Sequence, residues 1–392
     1  MYLHSSYVIP MSLLPPPHTE VAIVGAGIVG LAHAYHAARA GRQVTVFERS
    51  ARPVGASIRN FGMLWPIGQP PGPRLQRALR SRSHWLEMAQ ACGLAYDDSG
   101  SLHLAYRDDE WAVLQEFATE ANQHGYQVEL LTPKQVLKYS SAARPEGLMG
   151  GLLSHTEVIV DPRAVPGKLI PWLQETYGVQ FCFETGVTHA AAGQLTAKGH
   201  AWTYEQAFVC LGGELRVLYP EHLASAPLTL VKLQMMRTAP QPRGWHMGPA
   251  LAAGLTLQHY GSFAQCPSLP ALKQRIKDES PWFNQWGIHV MMSQNALGEL
   301  IIGDTHEYGP THDPFIDEQA NQYVLDYLGT FAQMPLPEIA GRWVGVYCKE
   351  TNGGSEWIHA VDDQTTLVTG LGGAGMTLSF GLAEETWSNQ EG

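Results

Sequence analysis

Basic residues are scarce in this chain. Its 392 residues include 25 lysines and arginines against 36 aspartates and glutamates, a formal net charge of −11. Nucleic acid and anionic membranes both call for a basic face, so neither is expected as the main partner. A small pocket can still be locally basic. Cysteine is scarce too. Cys92, Cys182, Cys210, Cys266 and Cys348 form no CxxC and no paired framework, which suits reduced thiols in a cytoplasmic protein. No window approaches ~18 consecutive apolar residues, so no spanning helix is expected. The opening "MYLHSSYVIPMSLLPPPHTE" lacks a basic start and a proper apolar stretch, which makes a poor signal peptide. Its triple proline suits an extended lead-in, and Met1 and Met11 both stay open as the natural start. The 17 histidines show no recognisable ligand spacing, so no metal site is expected. No Ser–His–Asp or Cys–His arrangement stands out, and there are no internal repeats.

What is present fits a globular protein. An apolar share of 45% supplies a sizeable core, and this length is comfortable for two domains that share an interface. The clearest segment is 19–50. "VAIVG" reads as a buried parallel strand, an alanine-rich helix runs from about Ile28 to Ala40 and stops at Gly41, and "QVTVFE" is a second strand. Helices are expected in 73–93, 108–125, 162–178 and 316–332, and strands at "SLHLAY", "VQFCFETGV" and "AFVCLGG". Between about 226 and 350, runs such as "LTLVKLQMMRT", "GIHVMMSQ" and "GELIIGD" suggest an antiparallel sheet, and 365–387 reads as strand, glycine-rich turn and helix.

"GAGIVG" places Gly25, Gly27 and Gly30 in a GxGxxG pattern between a strand and a helix, and Glu48 closes the second strand. Gly25 permits the turn, Gly27 lets backbone approach a pyrophosphate, and Gly30 brings helix and strand together. Glu48 is placed to accept ribose hydroxyls, which disfavours the extra phosphate of NADP. Glycine-rich strand ends also occur at 212–213 and 370–375. A nucleotide bound by loops from across the chain favours FAD over NAD.

"VAIVGAGIVGLAHAYHAARAGRQVTVFER" and "GLGGAGMTLSFGLAEE" resemble the D-amino-acid-oxidase superfamily, which includes glycine and sarcosine oxidases, over nearly the whole chain after residue 19. "GASIRNFGMLWPIGQP", "AGLTLQHYGSF" and "SQNALGELIIGDTHEYG" look like the branch found with bacterial phosphonate catabolism. The resemblance implies an α/β fold. An FAD-binding, glutathione-reductase-type Rossmann-like domain (19–80, 145–225 and 340–392) would interleave with a substrate domain on an antiparallel sheet capped by helices (81–144 and 226–339). Residues 1–18 would be extended.

It further implies non-covalent FAD held by Gly25, Gly27, Ile28, Gly30, Glu48 and Arg49. Ser57, Gly62 and Met63 come from the loop after the second strand, Val187 meets the adenine, and Gly212, Gly372, Gly375, Met376 and Thr377 belong to the glycine-rich turns. Arg59 and Asn60 would lie near the flavin, available to it or to substrate. His289, His306 and Tyr347 would form the catalytic and substrate-binding group. Tyr347 falls about where amino-acid oxidases carry a carboxylate-binding arginine, and Thr377 where sarcosine oxidases carry a lysine. Both departures argue against an ordinary α-amino acid. Cys348 is displaced by about three residues from the cysteine that sarcosine oxidase uses for covalent attachment.

The implied activity is oxidation of a small amine, 2-aminoethylphosphonate or its N-methyl derivative. A hydride passes from Cα to the flavin, the imine hydrolyses to phosphonoacetaldehyde and amine or ammonia, and oxygen is reduced to hydrogen peroxide. Alternatives are a glycine- or sarcosine-type amino-acid oxidase, a dehydrogenase with another electron acceptor, the flavin domain of a tRNA-modifying enzyme, and a non-catalytic FAD-binding protein. The oligomeric state is left open.

Overall fold

The computed structural model describes residues 17–388; the expected extended lead-in therefore lies almost wholly outside the described residues. The strand His18–Val24 stands at the centre of the first sheet. Its Val21, Ala22 and Ile23 are buried on both faces, as a parallel strand covered by helices must be. Val44–Phe47 and His200–Cys210 flank it, with Gln180–Cys182 and Thr365–Thr369 further out, all parallel. The antiparallel strands Trp357–Asp362, Val187–Ala191 and Gln194–Ala197 complete it.

The helix Ile28–Arg39 follows the first strand and is buried over most of its length. The terminal helix Gly375–Ser388 and the helix Pro73–Cys92 contribute to the same core. Trp85 Nε1 ties the last two together by donating to the carbonyl of Met376 at 2.9 Å.

The second sheet has nine strands. Its backbone is the long antiparallel pair of Leu228–Thr238 with Ile339–Glu350. Met291–Gln294 and Leu300–Gly303 continue it, and Ala250–Ala252 joins it to Ser101–Ala105 by a parallel pairing. Helices Asp108–Ala121, Leu269–Glu279 and Glu318–Phe331 contribute apolar side chains to its core. A small sheet of Met63–Leu64, Val158–Val160 and Tyr96–Asp97 lies apart from both.

The chain crosses between the two sheets at other places than the expected boundaries. Gly150–Ser154 pairs with Ser101–Ala105 and Val128–Leu131 in the second sheet, as Ile339–Glu350 does with Leu228–Thr238, although both segments were expected with the first. The helix Pro73–Cys92 continues unbroken through residue 80 and buries Ala78, Trp85 and Met88 in the first core. Leu75, near the helix start, is buried in the second core instead, so the two cores share this helix and no boundary cuts through it.

Candidate active site

A cavity of about 370 Å³ opens between the two sheets. The first sheet lines it with Ile28 at the helix start, the 56–63 loop, Gly212 and the turn 370–378; the second lines it with His259, His289, His306 and Tyr347.

The glycine turn is shaped by close backbone approach. Gly25 adopts φ +101°, and a Cβ there would lie 2.7 Å from the carbonyl oxygen of Cys210. A Cβ on Gly30 would fall 1.9 Å from the oxygen of Gly25, so helix and strand touch at a distance only glycine allows. Ser57 Oγ accepts from Ile28 N–H at 2.9 Å, leaving the hydroxyl proton free for a ligand at the helix N-terminus. Glu48 is buried, its oxygens accepting from Ala26 N at 3.0 Å and Ser50 N at 2.9 Å. Each oxygen keeps a further lone pair for a ribose hydroxyl. This cradle fits the adenosine and pyrophosphate of a dinucleotide.

Gly372, Gly375, Met376 and Thr377 line the cavity in the last turn. Thr377 Oγ1 accepts from Trp65 N at 2.9 Å, locking that turn to the loop after the second strand. Val187 lies buried in the antiparallel extension of the first sheet, paired with Ala197. Arg49 points to solvent and pairs with Glu214 at 3.2 Å. Met63 is buried and lines the cavity. The left-handed φ of +73° at Gly62 and the 1.9 Å from its would-be Cβ to the oxygen of Val160 show that the strand Val158–Val160 already demands glycine there.

Two residues expected near the substrate are turned to other uses. Asn60 donates from Nδ2 to the carbonyls of Ala56 and Ser57 and accepts from Gly62 N at 2.7 Å. Its amide is spent on folding the loop. Arg59 lines the cavity, but Nη1 donates to the carbonyl of Val344 at 3.2 Å and the side chain is exposed.

His289, His306 and Tyr347 do come together, and His259 joins them. The rings of His259 and His289 stack at 3.8 Å, and His306 stands 4.9 and 5.2 Å from them. His259 has no distinguishing spacing in the sequence; it sits in the "LTLQHYGSF" stretch, 30 residues before His289. One nitrogen from each ring lies within 4.8 Å of the others, a grouping of metal-ligand type that sequence spacing did not reveal. The His259 and His289 faces stack with 28° between their planes; a zinc site requires nitrogens converging on the ion at about 2 Å.

Asp304 is the other partner missed from sequence. Its Oδ1 lies 3.2 Å from His289 Nε2 without the alignment of a hydrogen bond, and both Oδ1 and His289 Nδ1 are buried without partners. Burial pushes the Asp304 carboxyl well above its ordinary value. Burial, with repulsion among the rings, holds His259 and His289 well below theirs, and burial lowers His306 to about 4. His259 exposes its ring to the cavity, yet it is desolvated in the same sense. Burial also raises Tyr347 far above the ordinary phenol range. Near neutral pH the three imidazoles, Asp304 and Tyr347 form an uncharged set of donors and acceptors.

A parallel sheet opening on a glycine turn, facing an antiparallel sheet across one cavity, defines a two-sheet flavoenzyme. The chain belongs to the DAO family: the model described as FAD dependent oxidoreductase matches residues 20–387. Its cofactor is FAD. The chain is 25% identical over 189 residues to the mitochondrial pyruvate dehydrogenase phosphatase regulatory subunit of Mus musculus, covering 47% of this chain and only 21% of that protein. The fold is similar to L-proline dehydrogenase from P. horikoshii, with TM-score 0.76, 19% identity and coverage of 94% and 92% of the two chains. It is also similar to glycine oxidase from Geobacillus kaustophilus, with TM-score 0.73, 18% identity and 95% of each chain covered. No helix among the described residues is long and apolar enough to cross a membrane.

Proposed function

We propose that this FAD-dependent oxidoreductase is an amine oxidase acting on 2-aminoethylphosphonate or its N-methyl derivative. The products are phosphonoacetaldehyde, ammonia or methylamine, and hydrogen peroxide, with oxygen and water consumed. The observation that carries the reading is the wall facing the flavin turns: three imidazoles, Lys349 and Tyr347, in place of the arginine that grips an α-carboxylate in amino-acid oxidases. FAD, when bound, supplies the two-electron acceptance that the side chains cannot.

The chain's own residues bind and orient. Tyr347 stands against the last glycine turn, its hydroxyl 3.4 Å from where a Cβ of Gly373 would be. It can therefore hold the amine end near that turn. Trp65 and Met63 are buried and add apolar lining to the same cavity. The Cys348 thiol is buried and pushed up to about 11, chiefly by burial. It is a poor nucleophile near neutrality, which supports FAD held without a covalent bond.

A peroxide-coupled assay across 2-aminoethylphosphonate, its N-methyl derivative, glycine, sarcosine and ethylamine tests the reading. The aminophosphonates are expected to give a kcat/KM at least tenfold above glycine and sarcosine, with flavin released into the supernatant on acid precipitation. Preference for the amino acids overturns the substrate, dye reduction without peroxide overturns the acceptor, and flavin left in the pellet overturns non-covalent binding.

A further inference from the structure

We propose that the stacked imidazoles of His259, His289 and His306 are the subsite for the substrate's tetrahedral anion, and that the anion binds together with a proton. The inference rests on the reading above for the identity of the anion, but not for the existence of the subsite.

The argument begins with what the wall has left unpaired. His289 Nδ1 is buried and without a partner, and an unsatisfied buried polar atom costs roughly 1–3 kcal/mol. A ligand oxygen in the cavity relieves that cost. His259 forms no side-chain hydrogen bond among the described residues and exposes its ring to the same space. His306 is fixed more tightly. Its Nδ1 lies 3.0 Å from the carbonyl of Gly287, and a carbonyl only accepts, so Nδ1 carries the hydrogen. The neutral ring then presents a bare lone pair at Nε2. An oxyanion can meet that nitrogen only after a proton has been added there.

The surroundings favour this change of charge only when an anion is present. Around the stack are Tyr260 beside His259, Asp304, Glu307 and Tyr308 on the segment carrying His306, and Tyr347 and Lys349 on the strand Ile339–Glu350. Burial raises Tyr260, Asp304 and Tyr347, leaving them uncharged near neutrality. Glu307 is engaged by Lys232 and His312. Lys349, held near the Tyr308 hydroxyl at 3.4 Å, is a cation on this wall and opposes protonation of the empty stack. A dianion between Lys349 and the rings reverses that opposition, since an opposite charge within hydrogen-bond reach favours imidazolium. Arg59, by contrast, gives Nη1 to the Val344 carbonyl.

Sulfate is the probe, because it is a tetrahedral dianion that carries no proton near neutrality; every proton taken up therefore belongs to the protein. The FAD-loaded protein is titrated with sodium sulfate at pH 7.5, by calorimetry in two buffers of different ionisation enthalpy and by flavin absorbance. The expected result is saturable binding with uptake of about one proton, and a Kd that rises about tenfold per pH unit. His259→Gln and His306→Gln are each expected to raise that Kd at least tenfold with a full complement of FAD, and Arg59→Lys less than threefold. Absence of sulfate binding, absence of proton uptake, or an unchanged Kd in both histidine variants overturns the inference. Turnover of aminophosphonate with any of those results removes the subsite alone. Proton-linked sulfate binding without aminophosphonate turnover removes the substrate and keeps the subsite.

Discussion

Gly27 shows what one missing side chain does at the nucleotide end of the cavity. It caps the helix Ile28–Arg39 in an extended conformation, φ −68°, that any residue can adopt. Backbone strain therefore does not require glycine; space does. A Cβ there would lie 3.2 Å from Ser57 Oγ, and the branches of a valine would enter the room that helix N-terminus offers a pyrophosphate. Gly27→Val is expected to fold, with a far-UV spectrum like the parent's, and to purify without flavin absorbance. A full flavin spectrum in that variant would show that the pyrophosphate lies elsewhere. Asn60 makes the complementary point. Its three hydrogen bonds inside the loop account for an asparagine beside the flavin turns without any contact to substrate.

The helix Ile28–Arg39 depends on close packing at its start. Its first turn presses on the strand it follows, because Gly30 admits the oxygen of Gly25 into the space of its own missing Cβ, 1.9 Å away. One added methyl must push helix and strand apart. The helix is buried along most of its length against the terminal helix and the parallel sheet, so the displacement has nowhere to relax. Overpacking of this kind costs about 1–3 kcal/mol. Gly30→Ala is expected to lower stability by that amount in urea unfolding of the FAD-free protein, and to weaken FAD retention. An unchanged midpoint would mean that the sheet yields more easily than its burial indicates. The helix Pro73–Cys92 teaches the same lesson about boundaries. Its Leu75 is buried in the second core while Ala78, Trp85 and Met88 are buried in the first, and no composition shift in the sequence marks that sharing.

For the molecule as a whole, buried histidines set a limit on the acid side. Burial lowers His33 to about 4 and His36 and His103 to about 3. The unfolded chain takes up protons on these groups below about pH 6.5, whereas the folded chain does not. Their contribution to stability is intact above that pH. It is lost as pH falls toward the folded values, at about 1.4 kcal/mol per pH unit for each group. Glu110, Glu157 and Asp304 are raised by burial and act in the opposite sense, so the wild-type profile alone does not isolate the histidines. A paired comparison does. His103 is fully buried between Trp65 and Phe263 with neither ring nitrogen partnered. His103→Phe is expected to gain stability relative to the parent by about 1.4 kcal/mol per pH unit between pH 6 and pH 4, in denaturant melts at each pH. Parallel profiles would show that His103 is protonated or hydrated in the folded state.

How much of this was legible in the sequence depends on how far apart in the chain the interacting groups lie. The strand, glycine turn, helix and acid of the nucleotide cradle could be read directly. Gly25 meets Gly30 five residues on, Glu48 bonds Ala26 within the same βαβ unit, and the alternation of apolar and small residues there admits few other folds. FAD as cofactor and the parallel sheet followed from that local pattern and its echo at 370–377. The wall across the cavity from the glycine turns was only half visible. His289, His306 and Tyr347, singled out from sequence, line it together, but His259 arrives on a short helix and Lys349 on a strand 60 residues beyond His289. The sheet register decided which of these side chains share the cavity. It also decided that Arg59 turns to Val344 and that Asp304 is buried beside His289. Such pairings lie 30 to 285 residues apart in the chain for His259–His289 and Arg59–Val344, and no local preference encodes them. They exist because packing two sheets over one cavity leaves each side chain a single place to go.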